Sequence, residues 1–189
     1  MADSQNGLDT GLNIDAQFAT NSAENPLTDP LENTLDNELW QYAYQVYSQA
    51  GVEAALLALQ DDHGADINLI LQALWLASEG KQWTEACIPA DYDQWIAEQV
   101  LPLRKMRRSM KVDWVEKRGP QYENFRQQVK KLELKAEQHA LAMLFHQSNR
   151  VLGQEESVTK TLESNLSQLA AYLTIKPELM LSTLSTVNN

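Results

Sequence analysis

The sequence of 189 residues holds one cysteine, Cys87, so it can build neither an internal disulfide nor a Cys-rich zinc site. It holds seven glycines, and after Gly11 no two lie within ten positions of each other. Phosphate-cradling loops need clustered glycines so that backbone amides can approach the anion, which excludes a P-loop and a dinucleotide-binding loop. A Gly-x-Ser-x-Gly nucleophile elbow is absent as well. No apolar run approaches the ~18 residues that a membrane span needs. The first 20 residues carry no Lys or Arg and no apolar stretch, which predicts no secretory signal, no membrane contact and a cytoplasmic setting. Strand-like alternation is missing, and β-branched residues are sparse.

Histidine is scarce too, with His63, His139 and His146 the full set. None has Glu three residues before it, so the Glu-x-x-His pairs of di-iron bundles are excluded. His139 and His146 sit seven residues apart, ~10 Å along one helix, too far to chelate one ion. Cys87 has no base beside it and reads as a small buried hydrophobe. No catalytic residue, metal site or cofactor is expected.

What is present is charge, unevenly spread. The formal net charge is −11. Residues 1–38 carry eight acids and no base, and residues 39–103 carry nine acids and only Lys81. Residues 104–135 reverse the sign, with eleven bases against four acids. Overall acidity therefore hides a basic segment, and net charge alone would suggest the wrong partners. Residues 1–37 are rich in Asn, Asp, Ser, Thr and Gly and read as a disordered acidic tail. Residues 38–185 read as one helical domain.

From residue 38 the apolar period is helical. A first helix carries Leu39, Ala43 and Val46 and breaks at Gly51. A second carries Leu56 and Leu59 and runs into Gln60-Asp61-Asp62-His63-Gly64, where Gly64 suits a left-handed helix end. Asp66 is positioned to cap a third helix, about 67–79, apolar almost all round and so central. Residues 81–90 read as a loop anchored by Trp83 and Pro89. A long helix, about 92–117, follows, with Asp91 as its cap, a seam of Trp95, Gln99, Leu103, Met106, Met110 and Trp114, and a kink from Pro102. The next, about 120–148, has a seam of Tyr122, Phe125, Val129, Leu132, Ala136, His139 and Met143. Helices at about 155–173 and from Pro177 complete an all-α bundle of about five to six helices.

Two polar features stand out. The turn 60–68 concentrates Asp61, Asp62, His63, Asp66 and Asn68 between two apolar helices, and acids at a helix C-terminus oppose its dipole unless something offsets them. Capping alone accounts for His63, Gly64 and Asp66. The second feature is the flank of Arg104, Arg107, Arg108 and Lys111 on one side of the 92–117 helix. It is expected to pair with acids of the same domain, which the 39–103 segment supplies.

Leu39-Trp40 with Ala43 and Tyr47, Gly51-Val52, Leu59-Gln60-Asp61, His63-Gly64-Ala65-Asp66-Ile67-Asn68 and Leu74-Trp75-Leu76 form one block. Leu101-Pro102-Leu103-Arg104 with Arg107, Arg108 and Lys111 forms a second. Together they resemble a small proteobacterial family catalogued as a domain of unknown function, over roughly residues 38–150. The resemblance implies a compact cytoplasmic bacterial protein and brings no activity, cofactor or catalytic residue with it.

Two functions of different kinds fit. The favoured one is a non-catalytic helical interaction or adaptor protein, its partner another protein, with nucleic acid less favoured and the acidic tail a competitor for the basic flank. The basic segment interleaves Met and Leu, not the aromatics on which single-stranded bases stack. The alternative is a small-ligand or enzyme site with Trp40 as a wall, where Asp61, Asp62, His63, Asp66 and Asn68 face Arg104, Arg107 and Arg108 across a cleft. Convergence of Asp61, Asp62 and His63 with an arginine in a closed pocket favours the second; their fanning into solvent favours the first.

Overall fold

The computed structural model describes residues 35–110, 117–149 and 158–184, and these are helical with short connections. Helix α1 spans Glu38–Tyr47, α2 Val52–His63 and α3 Ile67–Ser78. A single 3₁₀ turn, Glu85–Cys87, leads to α4, Tyr92–Trp95, which passes through a π-helical turn, Ile96–Val100, into α5, Leu101–Ser109. The long α6 spans Pro120–Ser148, α7 Val158–Tyr172 and α8 Pro177–Leu184. The all-α bundle expected from the period is the observed architecture. Among the described residues no helix is long and apolar enough to cross a membrane.

Local chemistry sets the early boundaries. The Asn37 side chain accepts the Trp40 amide and starts α1. Gly64 ends α2 at φ 68°, a left-handed conformation that glycine adopts without a Cβ penalty. Asp66 Oδ1 then accepts the Asn68 amide at 2.9 Å and starts α3. Leu35 and Asn37 stand within the stretch expected to be tail, yet both are buried, and Gln138 of α6 donates to the Leu35 carbonyl at 3.2 Å. The rest of the expected tail, residues 1–34, lies outside the described residues, as do Lys111 and Trp114.

Helix α3 is the axis of the domain: every residue from Ile67 to Ala77 is buried. Helices α1, α2, α6 and α7 pack around it, and α8 closes against α2 and α7. The one polar side chain midway along this axis, Gln72, is fully buried and hydrogen-bonded at both ends. Its amide nitrogen donates to the Cys87 carbonyl at 2.9 Å and to Ser148 Oγ at 2.8 Å, while its oxygen accepts the Trp83 indole N–H at 3.1 Å. Asn165 of α7 does the same for the 81–84 strap, accepting from the Trp83 amide and donating to the Lys81 carbonyl. These two amides seat the loop that carries the chain from α3 to α4.

Two expected seams differ in the structure. The helix expected over 92–117 ends at Ser109, because Met110 leaves the helical region with ψ 85°. Asp91 makes no side-chain cap to it. Pro102 cannot donate a backbone hydrogen bond, and the π-helical turn lies immediately before it. A π turn holds one extra residue, which rotates everything beyond it by about 100° relative to a continuous α-helix. Beyond the turn Met106, expected inside, is exposed and Arg104 and Arg107 are half-buried, while Met110 is buried as expected; within the turn Gln99, expected inside, is exposed and Val100 is buried. On α6 the expected seam is kept at Val129 and Ala136, which are buried, but Phe125 and Leu132 are 53% and 57% exposed, and Arg126, Glu133 and Glu137 are buried beside it.

Candidate functional site

The displaced faces of α5 and α6 meet, and their charges pair. Arg107 Nε and Nη2 lie 2.5 and 3.2 Å from the two oxygens of Glu133. Arg104 Nη2 donates to Glu137 Oε1 at 2.5 Å, and its Nε lies 3.5 Å from Glu133. Glutamates four apart on one helix thus face arginines three apart on the other, each spacing being one turn. Both glutamates are almost completely buried, at 3% and 5% side-chain exposure. Arg108 reaches the other way, to Asp61 of α2 at 3.0 Å, in a pair half open to water. The arginine flank therefore does pair with acids of its own domain, but its buried partners come from α6 and only Asp61 comes from the 39–103 segment.

Beneath this quartet is a chamber of about 40 Å³. Trp40, Ala43 and Tyr47 of α1 form one wall, Asp66, Asn68 and Leu71 a second, and Arg104, Arg107, Glu133 and Glu137 the third. A broader, more open cleft of about 390 Å³ adjoins it, lined by Ala65, Ile96, Val100 and Leu101. Gln60, Asp66, Asn68, Arg104 and Arg108 line both spaces and separate them. The chamber alone has room for roughly three water-sized groups.

Electrostatics there follow from burial. Burial pushes the Glu137 carboxyl up to about 7, against the opposing pull of Arg104. Burial likewise raises Asp66, whose charged form is partly supported by the Tyr92 hydroxyl at 2.9 Å and by backbone amides. Arg104 is destabilised by burial, but Glu137 and Glu133 overcome this and hold it above its usual value. The Tyr47 phenol is raised by burial and then by Glu137. Its hydroxyl is buried and has no hydrogen-bond partner among the described residues, although Tyr47 is one of the residues that line this polar chamber. A buried hydroxyl without a partner costs ~1–3 kcal/mol, and buried polar groups are rarely left so.

Of the residues expected at a site, the chamber gathers Trp40, Asp66, Asn68, Arg104, Arg107 and Arg108. Asp61 lines only the outer cleft. Asp62 and His63 are exposed and line neither space. Tyr47, Glu133 and Glu137 were not anticipated. For the two glutamates a signal existed, the Glu-x-x-x-Glu spacing opposite Arg-x-x-Arg. His139 is half-buried, its ring tilted by 46° against Trp95 with centroids 5.4 Å apart, and burial lowers its pKa.

The model of one family, described as a protein of unknown function (DUF2390), matches residues 38–144. The chain belongs to the DUF2390 family. Every residue named in the chamber wall lies within the matched region, whereas α7 and α8 lie beyond it. No curated protein matches the chain, and no solved structure does.

Proposed function

We propose that this DUF2390 protein binds a small polar ligand in the chamber between α1, α3, α5 and α6. The observation that carries the reading is the Tyr47 hydroxyl, buried near the Arg104–Glu137 pair with no acceptor among the described residues. A group that costs stability when unpaired and gains a partner from a ligand is a recognition element. The six expected residues on the chamber wall support the same reading, although Asp61, Asp62 and His63 do not converge. Trp40 supplies a flat apolar wall, and the charged quartet supplies fixed donors and acceptors.

Ligand-observed NMR with a library of small polar metabolites tests this. The expected result is a compound that binds the wild type and is lost on Tyr47→Phe, with the circular dichroism spectrum unchanged. No binder at millimolar concentration, or binders indifferent to Tyr47→Phe, overturns it.

A second reading, a helical interaction protein with another protein as partner, is favoured by the exposure of Asp61, Asp62 and His63 to solvent and by a further observation. Met106, Phe125 and Leu132 are 47–57% exposed on α5 and α6, and Phe125 and Leu132 share a helix face seven residues apart. The engagement of Arg104, Arg107 and Arg108 with acids of the domain removes three cations that a nucleic-acid partner would use. On this reading Phe125→Ser with Leu132→Ser leaves the melting temperature within a few degrees and abolishes a complex formed by the wild type; a complex unaffected by the pair refutes it.

A further inference from the structure

The open side of α6 is apolar and basic at once. Phe125 and Leu132 are left exposed, two turns apart on one line of the helix. Lys131 and Lys135 lie beside that line, with Lys131 open to water. Between residues 120 and 139 the acids Glu133 and Glu137 are buried, so on the outside Glu123 alone offsets Lys130, Lys131 and Lys135. Such a strip suits an occupant that carries acids and a pair of apolar side chains. A second copy fits poorly, because two like-charged strips would face each other.

The chain delivers a fitting segment to this place. Residues 1–34 hold six acids and no Lys or Arg. They join the domain at Leu35, which is buried and whose carbonyl accepts from Gln138 of α6 at 3.2 Å. Lys131 stands two turns before Gln138 on nearly the same line of α6, ~10 Å away along the axis. Glu32 is three residues from Leu35, and three extended residues span ~10 Å. Leu27 and Leu31 follow Pro26 and Pro30. Proline favours the polyproline form, in which four residues span ~12 Å. Leu132 and Phe125 are separated by ~10 Å along α6, so the two leucines match the two exposed side chains in spacing.

We propose that residues 24–34 dock along the outside of α6, with Leu31 on Leu132, Leu27 on Phe125 and Glu32 beside Lys131. The arginine flank is not the target of this acidic segment, since Arg104, Arg107 and Arg108 are already paired. The contact is small, but it is tethered. Anchoring at Leu35 gives the segment an effective concentration in the millimolar range, so a millimolar intrinsic affinity suffices to fill the strip about half the time. The docking uses the α6 face of the second reading and needs no external partner; a partner for that face would have to displace the segment.

The test uses the full chain and paramagnetic broadening. Cys87 is fully buried, so a nitroxide attached to Ala23→Cys marks one position. At low salt the amides of residues 121–132 are expected to lose more than half of their intensity. Phe125→Ser with Leu132→Ser is expected to cut that broadening at least threefold, as is about 0.5 M salt. Lys131→Glu is expected to weaken it, and adding Glu32→Lys to restore it, which a merely bulky face would not do. Absence of broadening, or broadening that the Phe125 and Leu132 pair leaves unchanged, overturns the docking. Broadening of isotope-labelled chains by nitroxide on unlabelled ones gives the strip to a second copy and overturns it too. A partner complex that is lost on the same pair, in a chain that shows no broadening, overturns the docking and leaves the second reading standing.

Discussion

Replacing Glu133 by Leu tests the pairing that builds the site. Glu133 is 3% exposed and Arg107 11%, so the pair is held largely out of water. Deleting one partner of a buried pair leaves an uncompensated charge and typically costs ~3–5 kcal/mol. Arg104 keeps its contact with Glu137, and Arg107 retains some solvent, so the lower end, ~3 kcal/mol, is expected. Adding Arg107→Met removes the stranded charge and substitutes an apolar side chain of similar length. The double variant is expected to recover to within ~1 kcal/mol of wild type, an interaction energy of ~2 kcal/mol or more in the cycle. Urea melts of the four proteins measure this, with the slope showing whether the denatured states are comparable. A single-variant loss below ~1 kcal/mol, or strictly additive losses, would mean that the α5–α6 charges are solvated and do not define the chamber.

Three further outcomes follow from the same geometry. Glu137 holds its proton up to about pH 7 in the folded chain against 4.5 for a free side chain, so between those values the folded state binds more protons. Its contribution to stability is therefore fully present below about 4.5 and is lost as pH rises through about 7; urea melts across this range are expected to show that decline, and Glu137→Gln is expected to flatten it. Gln72→Leu leaves the Trp83 indole N–H and the Ser148 hydroxyl without their buried partner and is expected to cost ~2–5 kcal/mol by thermal melting; a cost under ~0.5 kcal/mol would show that water replaces the amide. Asp66→Ser retains a helix-capping oxygen but not the acceptor for Tyr92, so it is expected to cost ~1–3 kcal/mol, and a neutral result would reduce Asp66 to a cap.

The first half of the fold was legible because its signals are local. Asp66 and Gly64 act within a turn of themselves, and the unbroken apolar run from Ile67 to Ala77 admits no reading but the centre. Misreadings begin where a residue's environment is decided by a distant one. Glu133 and Glu137 read as surface charges, and only arginines some 30 positions earlier make their burial tolerable. Where they turn inward, Phe125 and Leu132 turn out, so one non-local pairing shifts part of the α6 seam while Val129 and Ala136 stay buried in it. Gln72 is hidden in the same way, since its partners are 11 to 76 positions away. The candidate site was half legible: residue types at the turn and on the basic flank marked the neighbourhood, but the Tyr47 hydroxyl gains its meaning only from what does not reach it.

The π-helical turn at Ile96–Val100 has a bearing on descent. Such a turn is what a helix becomes when one residue is inserted and the flanking packing is kept. A relative one residue shorter here would carry an α-helix, kinked at Pro102, in place of the π turn, with its downstream side chains turned by about a fifth to a third of a circle. Its arginines would miss the two glutamates, and the chamber would have no third wall. Within the family, a single-codon length difference between positions 96 and 100 would therefore divide members that possess this chamber from members that share the fold without it.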